Sequence, residues 1–242
     1  MILLHNRAVI RISGEDKSDF LQGLITNDIN KPKPIYAALL TPQGKYLFDF
    51  IIYEDYDSFL LDCEAARKGE LIKKLSMYKL RAKVEIEDLP NWKVYSGDGV
   101  DDPRNAKLGK RLVAESSYDE GDFAEYEKIR ILLGVPDSAD FIPEKSFIQQ
   151  YRFDELNGID YEKGCYVGQE VIARTHYKGT IRKTIFKLEG DLPNFGEDIM
   201  HDGKKIGLML NSSENLGLAL CDIESVEKFG KDLKFKIERI SS

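Results

Sequence analysis

Lys163-Gly164-Cys165-Tyr166-Val167-Gly168-Gln169-Glu170 is the most informative stretch of this 242-residue chain. It sets a thiol between two glycines, with a lysine before it and a carboxylate after it, at a loop entering a helix or strand. Glycine permits backbone shapes and close approaches that other residues resist. A neighbouring ammonium, or N–H groups at a helix start, favours thiolate over thiol. Cys165 is therefore a candidate functional thiol, with Lys163 and Glu170 as its charged neighbours. The alternative for the cysteine is a small buried filler, because free cysteine is among the most buried residue types. For Lys163 and Glu170 the alternative is a local ion pair that holds the loop.

The rest of the composition narrows what such a thiol can serve. The 35 lysines and arginines against 42 acidic residues give a formal charge of −7. That disfavours a dedicated nucleic-acid coat and leaves a local basic strip, Arg174, His176, Lys178, Arg182 and Lys183. The three cysteines, Cys63, Cys165 and Cys221, are far apart and odd in number, so a disulfide framework is not expected. There is no Cys-x-x-Cys, and His5, His176 and His201 lack ligand spacing. A zinc site or a resident four-cysteine iron–sulfur cluster is therefore not expected, and no metal ligands are assigned. Cys63 and Cys221 lie in apolar strand patterns and read as packing residues. No apolar run approaches the roughly 18 residues of a membrane span. The first residues lack signal-peptide or transit-peptide character, which makes a cytosolic protein without membrane association the default.

Outward from the cysteine stretch, periodicity gives the elements. Val9 to Ile12 reads as a strand. Ser13 can cap a helix through Phe20, Leu21, Leu24 and Ile25 that stops near Asn27-Asp28. Tyr36–Leu40 and Tyr46–Tyr53 read as strands around the turn Thr41-Pro42-Gln43-Gly44, and Phe59–Cys63 completes a hairpin. A helix from Glu64 to about Tyr78 follows, then an alternating strand with Ala82, Val84 and Ile86 on one face. Trp92 to Tyr95 reads as a further strand. A second long helix runs from about Asp122 to Leu133, with Gly134 after it and Pro136 ending it. Residues 137–160 are mostly loop. From about 180 the chain reads as short strands, with turn pairs at Glu189-Gly190, Asp202-Gly203 and Leu216-Gly217, and hence as a small barrel or sandwich. The class is α+β.

With these residues laid out, the chain resembles the YgfZ-type folate-binding family, related to the aminomethyltransferase (T-protein) of the glycine cleavage system. Phe20-Leu21-Gln22-Gly23 with Thr26-Asn27-Asp28 is similar to that family's first-helix signature. Leu40-Thr41-Pro42-Gln43-Gly44-Lys45 is similar to its strand–turn segment, and Arg130-Ile131 with Gly134-Val135-Pro136 to its mid-chain helix end. Lys163 to Glu170, followed by Ala173-Arg174, is the defining match. The resemblance covers almost the whole chain.

The resemblance implies a T-protein-like three-domain cloverleaf around a central channel. Its first domain would be discontinuous, from residues 1–42 and 122–178. A ferredoxin-like middle domain would span 43–121, and a C-terminal β-barrel 179–242. The implied ligand is tetrahydrofolate or a one-carbon derivative. Its candidate binding residues are Asp49, Glu144, Tyr166, Gln169 and Arg174, with Cys165, Lys163 and Glu170 as the chemically active set.

The implied role is an accessory protein in assembly or repair of iron–sulfur clusters of client enzymes, including tRNA-modifying ones. A folate-dependent aminomethyltransferase is the alternative. T-protein resembles this chain at Gly44–Phe50 but carries two adjacent aspartates there. Here only Asp49 remains, beside Phe48. Because strand neighbours face opposite sides, one face has lost its carboxylate, which puts aminomethyl transfer in doubt.

Overall fold

The computed structural model describes residues 1–118 and 121–240; residues 119–120 and the last two residues of the expected barrel segment lie outside the described part. A five-stranded antiparallel sheet forms the middle layer. Its strands are β2 (Arg7–Ser13), β3 (Ile35–Leu40), β4 (Tyr46–Asp55), β5 (Ser58–Glu64) and β6 (Glu85–Asp88), in the order β3-β4-β5-β2-β6. A short β1 (Ile2–Leu3) belongs to a second sheet, with β7 (Lys93–Asp101) and β8 (Lys110–Ala114). A third sheet holds β9 (Lys183–Glu189), β10 (Asp198–His201), β11 (Lys204–Ser213), β12 (Leu216–Asp222) and β13 (Lys236–Arg239), in the order β10-β11-β12-β9-β13. The helices are α1 (Lys17–Gln22), α2 (Lys68–Lys79), α3 (Phe123–Leu132), α4 (Gln169–Lys178) and α5 (Ile223–Phe229).

Strand alternation explains why the middle sheet is buried on both sides. Ile35, Ala37 and Leu39 of β3, with Phe48, Phe50 and Ile52 of β4, face one core together with Leu71 and Leu75 of α2. Tyr36, Ala38 and Leu40, with Ile51, Tyr53 and Val9, face a second core that includes Tyr126 and Ile131 of α3. Apolar residues at every position, not at every second one, are what two covered faces require. The period of two also places Asp49 opposite Ala38, on the second-core side, while Phe48 points to the first core.

The expected boundary at 42/43 falls between β3 and β4, which are paired neighbours in one sheet. The α2–β6 segment rejoins that sheet through β2, in the first part of the chain. Ser13 ends β2 and does not cap α1; Asp16 precedes the helix and its carboxylate accepts the Lys83 N–H at 2.7 Å. The helix is shorter than expected, because Gly23 ends it and Leu24 and Ile25 continue the buried face from a turn. β8 and α5 add to the expected elements, and Leu216-Gly217 lies inside β12 instead of at its turn. The third sheet packs on the second core through α3 and through the Asp140 carboxylate, which accepts the Asn211 N–H at 2.8 Å.

Candidate functional site

The cysteine loop is built on the end of α1. The Asp160 N–H donates to the Thr26 carbonyl at 2.9 Å, and Thr26 Oγ1 donates to the Gly158 carbonyl at 2.6 Å. Asp160 Oδ1 then accepts the N–H groups of Glu162 and Lys163, at 2.7 and 3.0 Å, turning the chain back. Lys163 enters the gap so formed and is only 7% exposed. Its Nζ donates to three backbone carbonyls, of Gln22 at 2.8 Å, Ile25 at 2.6 Å and Asn27 at 2.9 Å. The Gln22 carbonyl is one that the end of α1 leaves without an intrahelical partner, and those of Ile25 and Asn27 belong to the turn that follows, so one ammonium satisfies both. Burial still brings the Lys163 ammonium down to about 8, against the countering charges of Asp28 and Asp160.

Lys163 therefore does not make the alternative, loop-holding ion pair with Glu170; its Nζ donates to backbone carbonyls. Glu170 stands exposed in the first turn of α4, where a carboxylate complements the helix dipole. Tyr166 is buried, with the Lys163 Nζ 4.9 Å from its ring centre, and burial raises its phenol. Gln169 Nε2 reaches the Lys163 carbonyl at 3.5 Å. Gly168, at φ 85°, closes the loop against the β3–β4 turn and opens α4. Between these anchors Cys165 is exposed and free, whereas Cys63 and Cys221 are buried and pushed up to about 12 by that burial. The loop thus holds one accessible sulfur on a fixed base.

Along α4, Arg174, His176 and Lys178 are exposed, and Arg182 and Lys183 continue the basic strip. His176 stacks on Tyr161 with centroids 3.7 Å apart, and Tyr177 is 68% exposed beside it. Three of the sequence signatures meet here: the first-helix segment, the β3–β4 turn and the cysteine stretch.

Asp49 and Glu144 do not join them as one pocket. Asp49 is 2% exposed, and its carboxylate already accepts Tyr46 OH and Ser138 Oγ, each at 2.7 Å, and Tyr36 OH at 3.1 Å. Burial, reinforced by the Asp49 charge, raises both tyrosines far above an ordinary phenol. Around them Tyr36 stacks on Phe153, and Tyr46 on Phe141, at 4.5 and 4.4 Å. Glu144 is an exposed turn residue at φ 62°, tied by its N–H to the Tyr46 carbonyl at 2.8 Å. Asp49 is enclosed, while Glu144 and Arg174 lie at the surface.

Sequence reasoning missed a buried charge network on the same side of the middle sheet. Asp62 accepts the Nε groups of Arg7 and Arg111, each at 2.6 Å. Arg7 also donates to Ser138 Oγ at 2.8 Å, which links this pair to Asp49. Arg104 makes two bonds to Asp102, at 2.9 and 2.7 Å, and Arg104 and Arg111 share the Tyr126 hydroxyl. Burial penalises the charge on Asp62, but Arg111 and Arg7 outweigh it and hold the group below an ordinary carboxylate. The available signal was Asp62 itself, a carboxylate set in the apolar run Phe59-Leu60-Leu61 and Cys63. Among the described residues, no group of three or more His, Cys, Asp or Glu side chains is placed to hold a metal ion.

Known proteins resemble this chain in sequence and in fold. Residues 182–241 match the family model described as the CAF17 C-terminal beta-barrel domain, which identifies the third sheet. The iron–sulfur cluster assembly factor IBA57, mitochondrial, of Mus musculus is 33% identical over 93% of this chain and 78% of its own length. The chain belongs to the IBA57 family. The Homo sapiens IBA57 protein is 30% identical over the same shares. In fold, the chain matches the glycine cleavage system aminomethyltransferase T from Bartonella henselae, with a TM-score of 0.71 and 13% identity over 92% of this chain and 78% of that one. The sequence expectation of a relationship to iron–sulfur assembly factors thus holds, and that of a T-protein-like fold is supported, while the YgfZ-type label gives way to the broader group that includes IBA57. The cytosolic expectation is corrected: these IBA57 relatives are named as mitochondrial factors. Among the described residues no helix is long and apolar enough to cross a membrane.

Proposed function

We propose that this chain acts in iron–sulfur cluster assembly by presenting Cys165 to a cluster-bearing partner or client enzyme. The observation that carries the reading is the single exposed thiol on a loop fixed by Lys163, Tyr166 and Gly168. One thiolate supplies one ligand, and biological clusters take about four cysteine ligands, so the remaining ligands come from the partner. The basic strip on α4 and the exposed Tyr177 lie along the helix that follows the loop and suit an acidic protein surface. Client enzymes in this reading include those that modify tRNA; the chain itself need not touch the nucleic acid.

A reduced folate, or a one-carbon derivative, belongs to the proposal only as the ligand suggested by the fold family. Asp49 is saturated by its own neighbours, and no step is assigned to the folate. The same hydrogen bonding weighs against the aminomethyltransferase reading, since Asp49, the acid that remains of the expected pair, is engaged by its own neighbours.

The direct test is loss of the protein from cells. The expected result is a fall in activity and iron content of cluster-dependent enzymes, restored by the wild-type chain. Unchanged client enzymes would end the proposal. Calorimetric titration with tetrahydrofolate and its methylene derivative, and an assay for ammonia release from an aminomethyl-loaded carrier protein, examine the two folate-based readings separately.

A further inference from the structure

The third sheet, the end of α3, the segment between β7 and β8 and the 152–156 stretch surround a cavity of about 410 Å3 that no residue of the cysteine loop lines. That size suits a small organic molecule. Leu132, Leu133, Leu156 and Ile240 give it aliphatic walls. Arg152 also lines it and is 7% exposed. Its Nε and Nη2 both donate to Glu155 Oε2, at 3.0 and 2.7 Å, while Nη1 is buried with no hydrogen-bond partner among the described residues. A buried donor on a charged group without an acceptor is rare. Lys187 pairs with Glu238 at 3.2 Å, but Lys107 and Arg239, also in the lining, have no carboxylate partner among the described residues. The lining holds four cations against two carboxylates, in a chain whose formal charge is −7.

We propose that this cavity binds a small aliphatic carboxylate, with the head group among the Arg152, Lys107 and Arg239 side chains and the chain against the leucine and isoleucine walls. Lys107 and Arg239 add positive charge at the same site. A carboxylate matches the planar guanidinium, and the aliphatic walls would be wasted on an inorganic anion. The site is independent of Cys165.

Octanoate is a suitable probe, titrated calorimetrically into the full chain with octanol and inorganic phosphate as controls. Saturable octanoate binding is expected, weakened about tenfold or more in Arg152→Gln and in Arg239→Gln, and unchanged in Cys165→Ser. Arg239 is exposed, so its variant reports on the site even where Arg152→Gln perturbs folding. No octanoate binding up to about 1 mM, equal binding of octanol or phosphate, or affinity unaffected by both arginine variants would overturn the proposal.

Discussion

Gly168 and Gly44 touch across the joint between the cysteine loop and the β3–β4 turn: a Cβ on Gly168 would lie 3.1 Å from Gly44 Cα and 2.7 Å from the Thr41 carbonyl oxygen. Both glycines have positive φ, at 85° and 72°. The two signatures that contain them are far apart in sequence and form one surface in the fold. A side chain at either position would push the cysteine loop off its base.

Gly168→Ala is therefore expected to destabilise the protein by about 1–3 kcal/mol, the usual cost of a strained left-handed residue. Urea unfolding measures the loss. Alkylation of Cys165 should change rate in the same variant, because the loop no longer sits on the turn. A variant of wild-type stability would show that the contact relaxes freely.

Lys163→Met removes the donor to three carbonyls and leaves them unpaired. Buried acceptors without partners cost about 1–3 kcal/mol, so a loss of that order is expected. The pH dependence has a definite sign. The folded Lys163 releases its proton at about 8, whereas the ordinary value is 10.5. Between these values the unfolded chain binds more protons, so this group's contribution to stability rises with pH across that window. The stability difference between wild type and Lys163→Met should grow over the same range, and thermal melts in buffers spanning it read the slope.

Asp62→Ala strips the carboxylate from two buried guanidiniums. Breaking a buried pair in this way costs about 3–5 kcal/mol, which chemical denaturation detects. Asp62 and Asp102 are both held below their ordinary value of 3.8, by Arg111 and Arg7 and by Arg104 against the penalty of burial. Their contribution is complete above that value and disappears as the pH falls through the lowered folded values. Acid unfolding should accordingly be steeper in wild type than in Asp62→Ala.

Iodoacetamide should modify one cysteine in the native chain and all three after unfolding, since only Cys165 is exposed. Peptide mapping identifies the site. Native modification at Cys63 or Cys221 would contradict the burial that raises both thiols to about 12.

The sequence made β3, β4 and β5 legible because their apolar runs are bounded by Thr41-Pro42-Gln43-Gly44 and by a polar turn, which are local signals. Pairing of β6 with β2 was hidden, since it joins residues about seventy positions apart. β8 was missed because Arg111, which faces the interior there, reads as a surface residue. The same assumption concealed Arg7, Arg104 and Asp62, and it made Lys163 look like a surface partner for Glu170. Cys165 was found because its glycines and family pattern are local. Asp49 was singled out as a candidate folate-binding carboxylate, but its three hydroxyl partners come from positions 36, 46 and 138 and leave no sequence trace.

The central claim is that the sulfur of Cys165 works in cluster assembly. Cells lacking the protein should be supplied with Cys165→Ser or, separately, with Cys63→Ser, and the activity of a cluster-dependent enzyme measured against the wild-type chain at equal expression. The account predicts that Cys63→Ser restores the enzyme and Cys165→Ser does not. Full restoration by Cys165→Ser would contradict it.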